Sequence, residues 1–432
     1  MTLRTSFFAT LFFGAALVSC SDNNTEFSIV RNISTSGITI KADIDNIEYD
    51  SLTLIFTNIS TNEKTVVDYN SQFDLLAGIY DVEVNASAKR NTLVYSLYGK
   101  ATSITISDSK PELSINIYVI NATSTDFIIE EIFFTGTLYP NNSQYVGDNY
   151  IKIYNNTDQT LYADGLGIVE SKFTSSNKFN YTPDIRQDTM AVQALYVVPG
   201  SGTDHPVEPG ESFLICDIGI DHKATNPNSF DLSAADFEWY DKSTSASNTD
   251  IDSESVPNLD KWYCYSLSIF SLHNQGLKSY ALVRIPNTIA KEKYLVDYKY
   301  DYEYINSTNV GEFQMTGEAY KIPNSWIIDG VNCSIETVRL WDILPTSIDA
   351  GWTYCGTVNH DKTRYFKSVR RKVLSVDNGR VVLQDTNNST NDFNAKCTPS
   401  LIEEQHSATN ADGDAATDIT YDGVTKVDNK GE

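Results

Sequence analysis

Short runs of alternating apolar and polar residues fill the chain between positions 27 and 120. Leu52, Leu54 and Phe56 alternate with polar neighbours, and turn-forming Asn, Asp, Ser and Gly residues separate such runs. Period-two alternation is typical of strands with one buried face, and turns about every 8–12 residues are typical of all-β folds. The pattern therefore predicts an Ig-like β-sandwich over residues 27–120.

A second β-rich domain is predicted over residues 127–400, after a polar linker at 121–126. The mainly apolar segment at 128–134, which includes Glu130 and Glu131, and the Asp164-Gly165 turn belong to a strand–turn–strand pattern. The predicted fold class of the whole protein is therefore all-β: a sandwich followed by a larger, elaborated sandwich.

Two other segments differ from the strand pattern. Residues 231–240 are predicted to form a short helix. The tail, residues 401–432, is acidic and rich in small residues, so we expect it to be disordered.

The chain begins with a predicted signal peptide, residues 1–19. Arg4 supplies a positive start, and the apolar stretch that follows is too short to span a bilayer. Leu17-Val18-Ser19-Cys20 resembles a bacterial lipobox, which implies cleavage before Cys20 and a lipid on its thiol. The less favoured alternative is an ordinary signal peptide with a chance cysteine.

Residues 20–26 would form the lipidated N-terminus and a linker. Their polar, acidic start, at 21–24, resembles the export signal of Bacteroidota-type surface lipoproteins. This resemblance implies a protein that is anchored in the outer membrane by lipid and faces the cell exterior.

The segment Leu75–Val82 resembles prealbumin-like and collagen-adhesin B-type modules, in which Tyr80 would pack at a corner. Some adhesin modules form a Lys–Asn isopeptide bond. The resemblance would place such a bond between Lys41 and Asn116, with Glu83 as the assisting acid. The favoured alternative is that these three are ordinary solvent-facing residues.

The second domain resembles lamin-tail-like sandwiches at its two ends, at 149–168 and at 368–393. The long middle, 171–363, is either a large insertion or part of an elaborated sandwich. The mature chain as a whole resembles an uncharacterised family of Bacteroidota-type surface lipoproteins. Because that family has no assigned activity, the resemblance implies architecture and location but no chemistry.

The charge of the chain excludes one class of binding partner. The 432 residues carry a formal net charge of −25, and a surface this negative repels phosphate, so a nucleic-acid partner is excluded. The sequence contains no CxxC motif. If Cys20 carries the lipid, an odd number of cysteines remains. Their pairing is left open: Cys216, Cys264, Cys333, Cys355 and Cys397.

Signatures of known catalytic sites are absent from the sequence: there is no G-x-S-x-G, HExxH, P-loop or G-x-G-x-x-G motif. We therefore predict no catalytic residue, no metal and no cofactor. A metal site is the less favoured reading of three short pairs: Asp204-His205, Cys216-Asp217 and Asp221-His222.

Aromatic residues mark the candidate binding surface, because all five Trp lie in the second domain. Flat platforms for a sugar or another apolar face are predicted at Trp239, Tyr240, Trp262, Tyr263 and Trp352. Core packing is the favoured alternative for tryptophan.

A tyrosine ladder follows, formed by Tyr298, Tyr300, Tyr302 and Tyr304. Period two puts these side chains on one face of a strand and the intervening charges on the other. The favoured interpretation of the ladder is a half-buried strand. The alternative is an exposed site that binds a ligand or partner.

A basic run interrupts the acidic chain at residues 362–372. Arg364, Arg370 and Arg371 are its candidate binding residues for an anion or for the acidic loops of a partner. Internal pairing with the abundant acids is the favoured alternative.

These observations favour a non-catalytic surface lipoprotein that binds a ligand or a partner. The expected partners are the membrane, through the lipid anchor, and an outer-membrane transporter or a surface glycan. Two alternatives stay open: a carbohydrate-active or other hydrolytic enzyme with carboxylates in the second domain, and a structural, fimbria-like surface subunit.

Overall fold

The structure is a computed structural model. It describes residues 30–34, 38–42, 47–90, 93–107, 113–119, 124–243, 249–266, 269–377 and 379–427. The predicted signal peptide, Cys20 with the linker to residue 26, and positions 121–123 of the second linker lie outside the described residues.

The chain divides into two compact units. The smaller unit takes its described residues from Met1–Thr39, Thr53–Glu83 and Lys100–Ile115. The larger unit takes them from Ile40–Leu52, Val84–Gly99 and Asn116–Glu432. The predicted boundaries at 27–120, 121–126 and 127–400 stay predictions.

The N-terminal part is built of β-strands. Their bounds are β1 Val30–Ser34, β2 Ile38–Ala42, β3 Glu48–Asn58, β4 Lys64–Asp68, β5 Gln72–Leu76, β6 Gly78–Arg90, β7 Leu93–Ile106 and β8 Leu113–Val119. Strands β1 and β5 pair, and the strand order of the main sheet is β2-β8-β7-β6-β3-β4.

Alternation along these strands matches the predicted pattern. On β3, Leu52, Leu54 and Phe56 are buried, and the residues between them are half-buried. Tyr80, which the resemblance would place at a corner, donates a hydrogen bond from its hydroxyl to the Leu76 carbonyl, at 2.9 Å. The period-two reading of this segment is therefore confirmed.

None of the three residues of the isopeptide hypothesis is buried. Lys41 and Asn116 are exposed. The carboxylate of Glu83 lies 3.5 Å from the ammonium of Lys100. The favoured alternative, solvent-facing polar residues, fits this arrangement.

The rest of the chain is also mainly β. Its strands are β9 Ile128–Phe133, β10 Tyr150–Tyr154, β11 Leu161–Tyr162, β12 Leu166–Ser171, β13 Thr189–Val197, β14 Pro206–Val207, β15 Ser212–Cys216, β16 Phe237–Glu238, β17 Asp260–Cys264, β18 Ser279–Arg284, β19 Lys299–Thr308, β20 Gly311–Pro323, β21 Ile327–Asn332, β22 Ser368–Arg371, β23 Val373–Asp377, β24 Arg380–Leu383 and β25 Phe393–Cys397. Its α-helices are α1 Lys291–Asp297, α2 Ser389–Asp392 and α3 Ser400–Glu404.

Two large sheets form a sandwich in this part. One has the order β16-β15-β10-β9-β22-β25, and the other β19-β20-β13-β12-β18-β21, with β17 also paired to β13. Alternate residues of one strand face different cores. On β12, for example, Ile168 packs between the two sheets, whereas Val169 packs into a second cluster with Tyr294 of α1. The all-β fold class is thus confirmed.

The structure corrects two predictions. Residues 237–238 form strand β16 and not part of a helix, because Phe237 pairs with Ile215 of β15. The tail is folded at least to residue 427: α3 buries Ile402, and Thr420 bridges Lys426. Two of its acids, Glu403 and Asp422, have internal partners, which its composition does not reveal.

Among the described residues, no helix has the length and apolar character needed to cross a membrane. The five cysteines considered for pairing are all free thiols.

Candidate functional site

A cavity of about 420 Å³ opens beside the first residues of β19; we call it the aromatic cleft. Its walls come from the segment 173–191, from Tyr300 and from Trp341 with Ile343. The lining residues are Phe173, Lys178, Phe179, Asn180, Tyr181, Asp184, Ile185, Arg186, Gln187, Thr189, Met190, Ala191, Tyr300, Trp341 and Ile343.

Strand β19 forms one wall of the cleft, because its tyrosines alternate with polar residues and so share one face. Tyr300, Tyr302 and Tyr304 share one face, and their rings stack at centroid distances of 5.1 and 6.2 Å. Tyr298, the fourth predicted member, lies outside the strand, directly after α1, and its ring stacks on Tyr294. The ladder therefore has three rungs on β19, of which Tyr300 is buried and the other two are half-buried.

The segment after β12 lays three more rings against this ladder. Phe173 and Tyr181 stack at 3.9 Å, Tyr181 meets the ring of Tyr302 edge-on at 5.5 Å, and Phe179 lies 4.5 Å from Tyr304. All are half-buried. Aromatic rings left half exposed in a group are uncommon on a soluble surface and are a mark of binding sites.

Backbone hydrogen bonds hold the two walls together. Thr182 and Glu303 exchange both of their N–H···O bonds, at 2.9 and 3.0 Å. The hydroxyl of Tyr300 donates to the Pro183 carbonyl at 2.7 Å. The segment 173–191 therefore covers this part of the edge of β19. These bonds fix the shape of the cleft before any ligand binds.

Trp341 and Arg186 form the floor. The Trp341 indole N–H donates to the carbonyls of Thr174 and Asn177, both at 3.0 Å. The Arg186 guanidinium donates from Nε to the Ile343 carbonyl at 3.1 Å, and its carbon lies 5.8 Å from the centre of the Trp341 ring. Both side chains are thus oriented by backbone carbonyl groups.

A second, more open cavity of about 720 Å³ continues along the β19–β20 ribbon; we call it the outer groove. Asn180 lines both cavities. In the groove, Gln314 donates to the Glu303 carboxylate at 2.7 Å, and Ser307 donates to Glu312 at 3.3 Å. The groove is also lined by Thr182, Tyr304 and Ile305.

The chemistry of the cleft suits binding better than acid–base work. Burial raises the pKa of the Tyr300 phenol to about 12, and burial likewise raises the pKa of Tyr181 and Tyr302. These hydroxyls therefore stay protonated near neutral pH and act as hydrogen-bonding groups. The cleft lining contains one carboxylate, Asp184, whereas glycoside hydrolysis commonly uses two.

The outer groove adds Glu303 and Glu312, but both are exposed on the ribbon. No group of three or more His, Cys, Asp or Glu in the described part of the chain is arranged to hold a metal ion.

The predicted platform residues lie elsewhere. Trp239 is 2% exposed and packs in the inter-sheet core, so its prediction as a surface platform is wrong. Tyr240 is half-buried beside it. Trp262 lies 5.7 Å from the Tyr294 ring, and Tyr263 lies 4.3 Å from Tyr320. These two rings cover a core cluster and do not line the cleft.

Trp352 is half-buried and stacks obliquely on Tyr354 at 5.3 Å. The guanidinium carbon of Arg339 lies over the Trp352 ring, 5.2 Å from the ring centre. Trp352 therefore has internal aromatic and cationic contacts, and it is not among the residues that line the aromatic cleft.

The three candidate arginines are buried, so a basic binding surface is contradicted. Arg364 donates to the carbonyls of Asn274 and Asp361. Arg370 pairs with Glu403 at 2.9 Å, and Arg371 is surrounded by three aspartates. The physical reason is that the abundant acids, distant in sequence, fold onto this run.

Sequence reasoning missed most of the cleft. The Tyr300–Tyr304 alternation was visible, but Phe173, Phe179 and Trp341 carry no local signal that places them opposite it. The one available hint was the Phe179–Tyr181 alternation in a segment otherwise rich in Ser, Asn and Lys.

A family model of unknown function matches part of this chain. Residues 208–400 match the family described as "Protein of unknown function (DUF4876)". A crystal structure of a DUF4876 family protein from Bacteroides thetaiotaomicron is similar to this chain, with 22% identity and a TM-score of 0.55 over 84% of this chain and 95% of that one. At this identity the likeness shows the fold alone. No curated protein matches the chain.

Proposed function

We propose that this protein is a non-catalytic binding protein and that the aromatic cleft holds its ligand. The observation that carries the proposal is a cavity of about 420 Å³ walled by half-buried rings that are fixed in place by backbone hydrogen bonds. Its volume lies within the usual range of ligand sites, about 300–1,000 Å³. A prebuilt site loses little conformational entropy on binding, which favours affinity.

Location is a further part of the proposal and rests on the sequence. The protein would be a lipoprotein of the outer membrane, anchored through Cys20 and facing the exterior. The N-terminal prealbumin-like sandwich would act as a spacer, and the lamin-tail-like domain would present the cleft. An outer-membrane transporter or a surface glycan is the expected partner.

A cleft variant tests the binding site. Tyr181→Ala removes a ring that contacts both Phe173 and Tyr302, so we expect ligand affinity to fall about tenfold or more. The measurement is the ligand-induced rise in melting temperature across a mixed library of glycans, peptides and small aromatic compounds.

Tyr265→Ala is the matched control, because this tyrosine is exposed and does not line the cleft. We expect it to bind as the wild type does. A library in which no compound stabilises the wild type, or in which Tyr181→Ala keeps full binding, would refute the cleft as the ligand site.

The lipid anchor is tested in the producing cells. Cys20→Ala is expected to move the protein from the membrane fraction to the soluble fraction, since one residue carries the whole lipid attachment. Ser21→Ala, its neighbour, should leave the protein in the membrane fraction. Membrane retention of Cys20→Ala would contradict lipid anchoring at this residue.

A further inference from the structure

We infer that the ligand is an uncharged, linear oligosaccharide that occupies the aromatic cleft and continues along the outer groove. This inference rests on the proposed binding function and names the class of ligand. It follows from the adjacency of the two cavities, from their mixture of rings and polar groups, and from the placement of charge.

The two cavities adjoin each other at Asn180. Asn180 lines both, and Tyr304 lines the outer groove while its ring lies 4.5 Å from Phe179 of the cleft. Their volumes, about 420 and 720 Å³, provide more room than one monosaccharide needs. A path that leaves a walled cavity and runs on along an open ribbon suits a chain molecule.

The lining suits a sugar. Each pyranose presents an apolar C–H face and a rim of hydroxyl groups, so it requires flat rings together with donors and acceptors. The cleft offers rings at Phe173, Tyr181 and Trp341, and side-chain amides at Asn180 and Gln187. A purely apolar ligand would leave these polar groups without partners, which costs affinity.

Charge favours an uncharged chain. Lys178 and Arg186 outnumber Asp184 in the cleft lining, so the net positive charge there disfavours a polycation. Glu303 and Glu312 line the outer groove, and the whole protein carries −25, so a polyanion is repelled along the second half of the path. A neutral glycan avoids both penalties.

The test uses the full-length protein in detergent and measures affinity by calorimetry and on a glycan array. The neutral probes are linear oligosaccharides of glucose, xylose, mannose, fructose and N-acetylglucosamine, from monosaccharides to octasaccharides. Polygalacturonate, chitosan and a peptide library are the comparison probes. We expect at least one neutral series to bind, with affinity about tenfold higher for hexasaccharides than for disaccharides.

Two variants separate the two cavities. Tyr181→Ala should lower the affinity for short and long chains alike, by about tenfold or more. Gln314→Ala should spare disaccharide binding but reduce the gain with chain length, because Gln314 lines only the outer groove. Gln159→Ala, an exposed glutamine that lines neither cavity, should leave both unchanged.

Failure of the ligand class can be told apart from failure of the binding function. If peptides, polygalacturonate or chitosan bind in a Tyr181-dependent manner and no neutral glycan does, the glycan inference is overturned and the binding cleft stands. If a neutral glycan binds with no gain in affinity with length, the outer groove has no role and the inference is likewise overturned. If nothing binds, both proposals fail.

Discussion

Replacing Arg371 with methionine is expected to destabilise the protein by about 3–5 kcal/mol, because it leaves buried carboxylates without their cation. The Arg371 guanidinium is 2% exposed and lies 2.7 Å from Asp329, 3.2 Å from Asp385 and 3.7 Å from Asp392. It also donates from Nε to the Ile129 carbonyl at 2.8 Å, which ties β22 to β9. The measurement is the free energy of unfolding in urea.

The loss should depend on pH in a defined direction. Burial raises the pKa of Asp329 and of Asp392 to about 6, and Arg371 opposes that rise. Without Arg371 their folded-state pKa values move further above the unfolded values. A carboxyl group whose pKa is raised by folding loses stability as pH increases, so the deficit should be larger at about pH 8 than at about pH 5.

Arg339→Met is the matched control. Arg339 pairs with Asp342 on the surface, and exposed ion pairs contribute about 0–1 kcal/mol. We expect its free energy of unfolding to stay within that range of the wild type at both pH values. An equally small effect for Arg371→Met would show that the buried aspartates do not need this guanidinium.

The basic run illustrates how far sequence reasoning reaches. Period two predicts that Arg370 and Arg371, as neighbours on β22, point to opposite faces of the sheet. Each then needs its own acidic partners, and these are Glu403 for Arg370 and Asp329 for Arg371. No local pattern joins residues 33 and 42 positions apart, so the sequence could show the charges but not that they are internal.

The aromatic cleft, too, can be predicted from the sequence only where the pattern is local. The alternation on β19 is local, and it was sufficient to predict one face of tyrosines. The opposing wall depends on how the segment after β12 folds back, which is decided by long-range bonds such as the pair between Thr182 and Glu303. For the tail, composition gives a wrong prediction. Its acidic character indicates disorder, but Glu403 is buried and pairs with Arg370.

Removing the tail is therefore expected to unfold the protein or to cost it most of its stability. A chain that ends after Pro399 loses Glu403, which lies 2.9 Å from Arg370, and leaves that guanidinium buried without its carboxylate partner. It also loses Ser400, whose N–H and hydroxyl donate to the buried Glu131 carboxylate. Orphaning one buried charge alone costs about 3–5 kcal/mol.

The matched control ends after Val427 and keeps every tail contact named above, so its melting temperature should equal that of the full chain. Because the shorter chain can fail to accumulate, Ile402→Ala in the full-length protein gives a second measurement. Ile402 is fully buried against Cys216 and Phe366, so we expect a loss of about 2–5 kcal/mol. Ile419→Ala, at an exposed position of the same tail, should cost far less. If Ile402→Ala and Ile419→Ala have equal effects, or if the chain ending at Pro399 melts like the wild type, the tail does not belong to the folded domain.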